Sequence, residues 1–78
     1  MLGFDRITFD PSIMGGRACI RGMRITVALI LNLVANGMSD KEILEAYPYL
    51  ESEDIHQALR YAAWLAEESV YELKQTPA

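Results

Sequence analysis

From Arg6 to Asp10 the order Arg-Ile-Thr-Phe-Asp alternates polar with apolar residues, which predicts a short half-buried strand with Ile7 and Phe9 on one face. Pro11 and the pair Gly15-Gly16 then punctuate the chain. Ala18-Cys19-Ile20 is again short and apolar, and Gly22 breaks it, so residues 6–25 are expected to form two short strands joined by an irregular, glycine-dependent loop. From Thr26 the period lengthens to that of a helix: Thr26 is a suitable N-cap, Val27, Ile30, Leu31 and Val34 form one stripe, and Gly37 follows Asn36 where a helix can end. Leu29 and Leu33 lie on a second face of the same helix. A helix apolar on most of its circumference must be covered from more than one side, so that second face is a candidate dimer interface.

Ser39-Asp40-Lys41-Glu42 has the form of a capping box, in which hydroxyl and carboxylate each accept from the other residue's backbone N–H. It starts a second helix that buries Ile43 and Leu44 and must end by Tyr47, because Pro48 disfavours helical geometry in the residue before it. The third helix starts at Glu51 or Ser52, and two signals conflict there: Ser52 is the better N-cap residue, but Leu50 and Ile55 stand at staple spacing only if Glu51 is the cap. Ile55, Leu59, Ala62, Ala66, Val70 and Leu73 then recur at steps of three and four. A helix from Glu53 to Leu73 is roughly 30 Å long, enough for its C-terminal half to project or to pack on another chain. The expected fold is mainly α: one domain over residues 1–78, with a β-hairpin segment at 6–25 followed by a three-helix core at 26–73.

With 78 residues, 51% of them hydrophobic, the chain can fill one small core and no more, and cores of this size gain from a partner. The single cysteine, Cys19, excludes an intrachain disulfide, and with one histidine there is no ligand set for structural zinc; no metal and no cofactor are expected. The N-terminus lacks the apolar run of a signal peptide, and Ile25–Ala35 is about half a membrane span, so a cytoplasmic protein without membrane contact is expected. The net charge of −4 conceals an asymmetry. Met1–Ser39 sets four arginines against two aspartates, net +2, whereas Asp40–Ala78 sets three cations against nine carboxylates, net −6. Two differently charged surfaces suggest two partners.

Few parts for catalysis are present, which argues against an enzyme and against a small-molecule substrate. His56 has no Cys or Ser at a telling spacing, and Cys19 sits in an apolar segment as a small hydrophobe. Gly15-Gly16-Arg17 matches neither the dinucleotide fingerprint nor the Walker pattern, and the glycines suit a positive-φ turn from which Arg17 projects. Arg17, Arg21 and Arg24 fall within eight residues and could meet phosphates, or else pair with the chain's own carboxylates. Residues 39–61 have helix-turn-helix proportions, with His56, Gln57 and Arg60 as candidates for base contacts. Against that reading, Glu51, Glu53 and Asp54 stand at the start of the presumptive recognition helix, where they also complement the helix dipole. Ile7, Phe9, Leu29, Leu33, Trp64 and Tyr71 are candidates for a dimer or partner interface.

Ile7-Thr8-Phe9-Asp10-Pro11, the run Gly15-Gly16-Arg17-Ala18-Cys19-Ile20-Arg21-Gly22-Met23-Arg24-Ile25, Gly37 to Leu44, Tyr47-Pro48 and Glu53-Asp54-Ile55 together resemble the domain-of-unknown-function family numbered 433, over residues 6–70. Arg17-Ala18 stands where many members have Lys-Pro, Gly22-Met23-Arg24 where they have Gly-Thr-Arg, and Glu51-Ser52 where they have Thr-Pro. The resemblance implies a homeodomain-like helix-turn-helix core behind a β-hairpin, a homodimer, and the role of antitoxin in a VapBC-like prokaryotic pair whose toxin is a PIN-type ribonuclease. The resulting expectation is a non-enzymatic antitoxin that binds operator DNA and neutralises the nuclease, with Arg21 and Arg24 on phosphates. The alternative is an interaction or dimerisation module with no DNA role.

Overall fold

In a computed structural model of the chain, which describes the backbone of residues 3–74 and the side chains of residues 3–67, a minimal hairpin precedes three helices. Strands β1 (Ile7–Thr8) and β2 (Cys19–Ile20) pair antiparallel, Ile7 opposite Ile20 and Thr8 opposite Cys19, and Cys19 also bridges to Thr26 on its other side. The expected strand Arg6–Asp10 is cut short. The Asp10 carboxylate accepts from the backbone N–H and the hydroxyl of Ser12, turning the chain out of the ladder, and Phe9 ends 44% exposed instead of sharing the buried face of Ile7. Met14, Gly15 and Gly16 follow with φ of 51°, 68° and 83°, the left-handed turn that the glycine pair permits.

Helix α1 (Val27–Ala35) is capped by Thr26, whose hydroxyl accepts from the Leu29 N–H at 3.0 Å. It ends in a Schellman motif: the Met38 N–H donates to the Leu33 carbonyl and the Gly37 N–H to that of Val34, with Gly37 at φ 89°. Helix α2 (Asp40–Ala46) carries both bonds of the predicted capping box. Helix α3 (Ser52–Lys74) settles the open boundary in favour of Glu51 as the cap, because Leu50 and Ile55 are both buried in the core and form the staple.

The core lies where the hairpin, α1 and α2 converge on the first half of α3. Phe4, Ile7, Ile20, Val27, Ile30, Ile43, Leu50, Ile55 and Ala58 form one buried cluster, with Leu31, Leu33, Val34, Met38 and Leu44 packed on its edge. No helix among the described residues is long and apolar enough to cross a membrane.

Candidate functional site

The first turns of α3 bring charged residues from three segments together. Asp54 is the third residue of α3, and a carboxylate at that position can reach back to the cap backbone: its Oδ2 accepts from the Glu51 N–H at 2.8 Å. The same position faces the hairpin. Arg21 donates from Nε to Oδ1 at 3.0 Å and from Nη2 to Oδ2 at 2.8 Å, and Arg6 donates from Nη1 to Oδ1 at 2.9 Å. Asp54 is therefore 0% exposed, yet all its acceptor positions are used. Burial raises its pKa, but the hydrogen bonds from Arg21, the Glu51 backbone and Arg6 outweigh that effect and hold the carboxyl below the usual aspartate value. Arg6 also donates to the exposed Glu51 carboxylate at 2.6 Å, and Arg21 to the Tyr49 carbonyl at 2.9 Å. Both guanidinium pKa values are raised, that of Arg6 by Glu51 and then Asp54, that of Arg21 by Asp54.

Arg21 reaches this position at a conformational cost. With Gly22 it forms the two central residues of a turn closed by the Met23 N–H on the Ile20 carbonyl, and both have positive φ, 46° and 72°. An L-residue pays roughly 1–2 kcal/mol for that geometry. The bidentate pair with Asp54 holds it there.

One turn further along α3, Gln57 accepts from the Arg6 backbone N–H at 3.0 Å and donates to Asp5 at 2.7 Å, and this second bond holds the Asp5 carboxyl below its usual value. Next on the same face, Tyr61 meets Phe4 edge-on, with ring centroids 5.5 Å apart, and both rings contact Trp64. Phe9 lies 6.2 Å from Tyr61, and the Arg60 guanidinium sits over the Phe4 ring. Steps of three and four along α3 thus carry a polar clasp that passes into an aromatic cluster, and the N-terminal segment is laid across both.

These contacts divide the predicted residues. Gln57, expected to reach bases, is 5% exposed and spent on Asp5 and Arg6, so it cannot be presented to a partner. Arg21, expected on phosphates, has its guanidinium turned onto Asp54 and Tyr49. Ile7, expected at an interface, is 7% exposed within the chain's own core, because it pairs with Ile20 beneath α3. Leu33 packs in part on that core and Leu29 is half-buried. Tyr71 lies outside the described side chains, as do Val70 and Leu73 of the predicted stripe. Arg17, Arg24, His56 and Arg60 are exposed, His56 lying 3.4 Å from Glu53, and so are Phe9 and Trp64. Arg17 has different neighbours from Arg21: it stands at the edge of an open groove of about 260 Å³ formed with Ala18, Thr26, Val27, Ala28, Leu31, Tyr61 and Leu65.

Sequence reasoning missed Asp54 as a buried node and Arg6 as its partner. The signal available was the staple: once Leu50 and Ile55 fix Glu51 as the cap, Asp54 occupies the position whose carboxylate turns back toward the chain. Among the described residues no cluster of three or more histidines, cysteines or carboxylates could hold a metal ion.

Comparison with known proteins gives a consistent picture. The family model described as "Protein of unknown function (DUF433)" matches residues 7–62. An uncharacterized protein of Sinorhizobium fredii, y4eO, is 41% identical over 56 residues, which are 72% of this chain and 25% of that protein. The chain thus spans a quarter of the length of that relative. The crystal structure of a DUF433 member protein from Anabaena variabilis superposes with a TM-score of 0.73 at 35% identity, over 88% of this chain and 68% of the other.

Proposed function

The chain belongs to the DUF433 family, and from that premise we propose that it is a non-catalytic binding protein, the antitoxin of a type II pair, which holds a PIN-type nuclease and keeps it inactive. The observation that carries this reading is the apolar surface on α1 and the second half of α3. Leu65, 42% exposed, lines the groove of about 260 Å³, and Trp64, 41% exposed, lies against Tyr61 of the same lining; exposed apolar side chains gathered in this way mark sites of protein contact. In the same proposal the chain works as a homodimer in the cytoplasm. In this proposal helices α2 and α3 form a homeodomain-like helix-turn-helix that meets operator DNA through the exposed Arg24, His56 and Arg60, whereas Arg21 is engaged by Asp54 and Gln57 by Asp5.

Co-expression with the PIN-domain proteins of its own genome tests this. One of them is expected to co-purify in stoichiometric amount with its ribonuclease activity suppressed; if none is bound or inhibited, the antitoxin reading falls.

A second reading, an interaction module without DNA binding, is favoured by the chemistry at the start of α3. Glu51 and Glu53 are exposed there, and an exposed carboxylate pair facing phosphates weakens binding. A shift assay at low salt with the DNA upstream of its own gene separates the two: a retarded band at micromolar protein supports the first, and none supports the second.

A further inference from the structure

We propose that the groove between α1 and α3 is a docking site for an acidic amphipathic helix of a partner protein, an apolar side chain entering the groove and a neighbouring carboxylate meeting Arg17. This rests on the reading of the chain as a binding protein and names the chemistry its partner presents. The floor is formed by Val27, Ala28, Leu31, Tyr61 and Leu65, and its volume of about 260 Å³ has room for a large aliphatic or aromatic side chain. Several backbone groups along its rim are already taken. The Val27 N–H donates to the Ala18 carbonyl at 2.9 Å, the Ile30 N–H to the Thr26 carbonyl, and the Thr26 hydroxyl is taken by the Leu29 N–H. An extended segment would find no free ladder here, so the occupant must satisfy its own backbone, as a helix does.

The sign of the partner follows from the rim. Among the described residues Arg17 is the one charged residue lining the groove; it is exposed, and its side chain makes no hydrogen bond or ion pair with any of them. A carboxylate brought to it gains a charge-assisted hydrogen bond, whereas a basic segment meets a like charge. Nucleic acid shares the anionic character but brings no aliphatic side chain for the floor.

Two synthetic peptides of roughly 16 residues, long enough to hold a helix in water, test the proposal. Both carry the same leucine stripe, one flanked by glutamate and the other by lysine. Each is titrated into the isotopically labelled full chain while amide resonances are followed by NMR. The glutamate peptide is expected to shift Ala28, Leu31 and Tyr61 and to bind at least about tenfold more tightly than the lysine peptide, with Arg17→Glu inverting that preference. Ala28→Trp, which fills the groove, is expected to abolish both responses; circular dichroism checks that each variant is folded. Equal binding of the two peptides, a preference unchanged in Arg17→Glu, or shifts located elsewhere would overturn the proposal. So would displacement of the same resonances by duplex DNA or by the protein's own concentration when neither peptide moves them. A chain that binds a PIN-type nuclease but neither peptide would keep the antitoxin reading and lose this one; binding of the glutamate peptide without any nuclease would do the reverse.

Discussion

Asp54 carries more of this structure than any other polar residue. Removing this buried carboxylate leaves the Glu51 N–H without its acceptor and Arg21 with only the Tyr49 carbonyl, while Arg6 keeps its pair with Glu51. Asp54→Ala is therefore expected to lose about 1–3 kcal/mol in urea unfolding, still a sizeable share of what a chain of this size possesses. At Arg21 two effects can be separated, since its side chain pairs with Asp54 while its backbone is held at φ 46°. Arg21→Ala forfeits the pair and keeps the unfavourable φ. Arg21→Gly forfeits the pair and relieves φ, so the glycine variant is expected to be the more stable of the two by about 1 kcal/mol, the reverse of the order inside a helix. Equal stabilities would show that the turn has relaxed once the side chain is gone. The same carboxylate sets an acid limit. The folded-state pKa of Asp54 is depressed, so its contribution is fully present above the unfolded aspartate value of about 4 and is lost as pH falls from there through the folded value. Exposed Asp5, Asp10 and Glu42 are depressed as well, by Gln57 and by the backbone N–H groups of Ser12 and Ser39, and their share is reduced by solvent screening. Midpoints of urea unfolding measured from pH 7 down to pH 3 should fall for the wild type and fall less for Asp54→Asn.

At the level of elements, what the sequence foretold was local. Thr26, Gly37 and the Ser39–Glu42 box are short-range devices whose partners lie three to five residues away, and each appears in the structure as the spacing predicted. Ser39→Ala should accordingly cost about 1 kcal/mol through α2, measured by the same unfolding assay, with no effect on the clasp at Asp54. The first strand was overestimated because alternation over five residues could not reveal that Asp10 would bond to Ser12 and end the ladder after Thr8. Long-range pairings were illegible for a related reason. Arg6 and Arg21 are separated from Asp54 by 48 and 33 positions, and no periodicity links them, so the sequence leaves open whether Arg17, Arg21 and Arg24 meet phosphates or the chain's own carboxylates. Folding separates the three: Arg21 pairs with Asp54 of α3 while staying part-exposed, Arg17 lines the groove, and Arg24 is exposed. Gln57 misled in the same way, since its polar character suggested a surface until Asp5 and the Arg6 backbone were placed against it.

For the whole molecule, the division of the arginines changes how any DNA binding should respond to salt. If the chain meets DNA, each phosphate neutralised contributes about 0.9 to the slope of log affinity against log salt. Arg24 is exposed, so Arg24→Ala is expected to lower that slope by about 1 and to weaken binding to all sequences alike. Arg21 has already exchanged its counterions for Asp54, so Arg21→Ala should leave the slope of the folded fraction unchanged and act instead through stability. Measuring both variants by fluorescence anisotropy from 50 to about 200 mM salt, with the folded fraction checked by circular dichroism, separates the two roles. A slope that falls by the same amount in both variants would mean that the clasp opens on DNA and hands Arg21 to a phosphate, leaving Asp54 with Arg6 and the Glu51 N–H. That exchange is disfavoured by the geometry, because Asp54 is wholly buried and would lose two of its four hydrogen bonds within the low-dielectric interior. The basic half of the chain therefore has less charge to offer a nucleic acid than its sequence suggests, since Arg6 and Arg21 are both committed to Asp54.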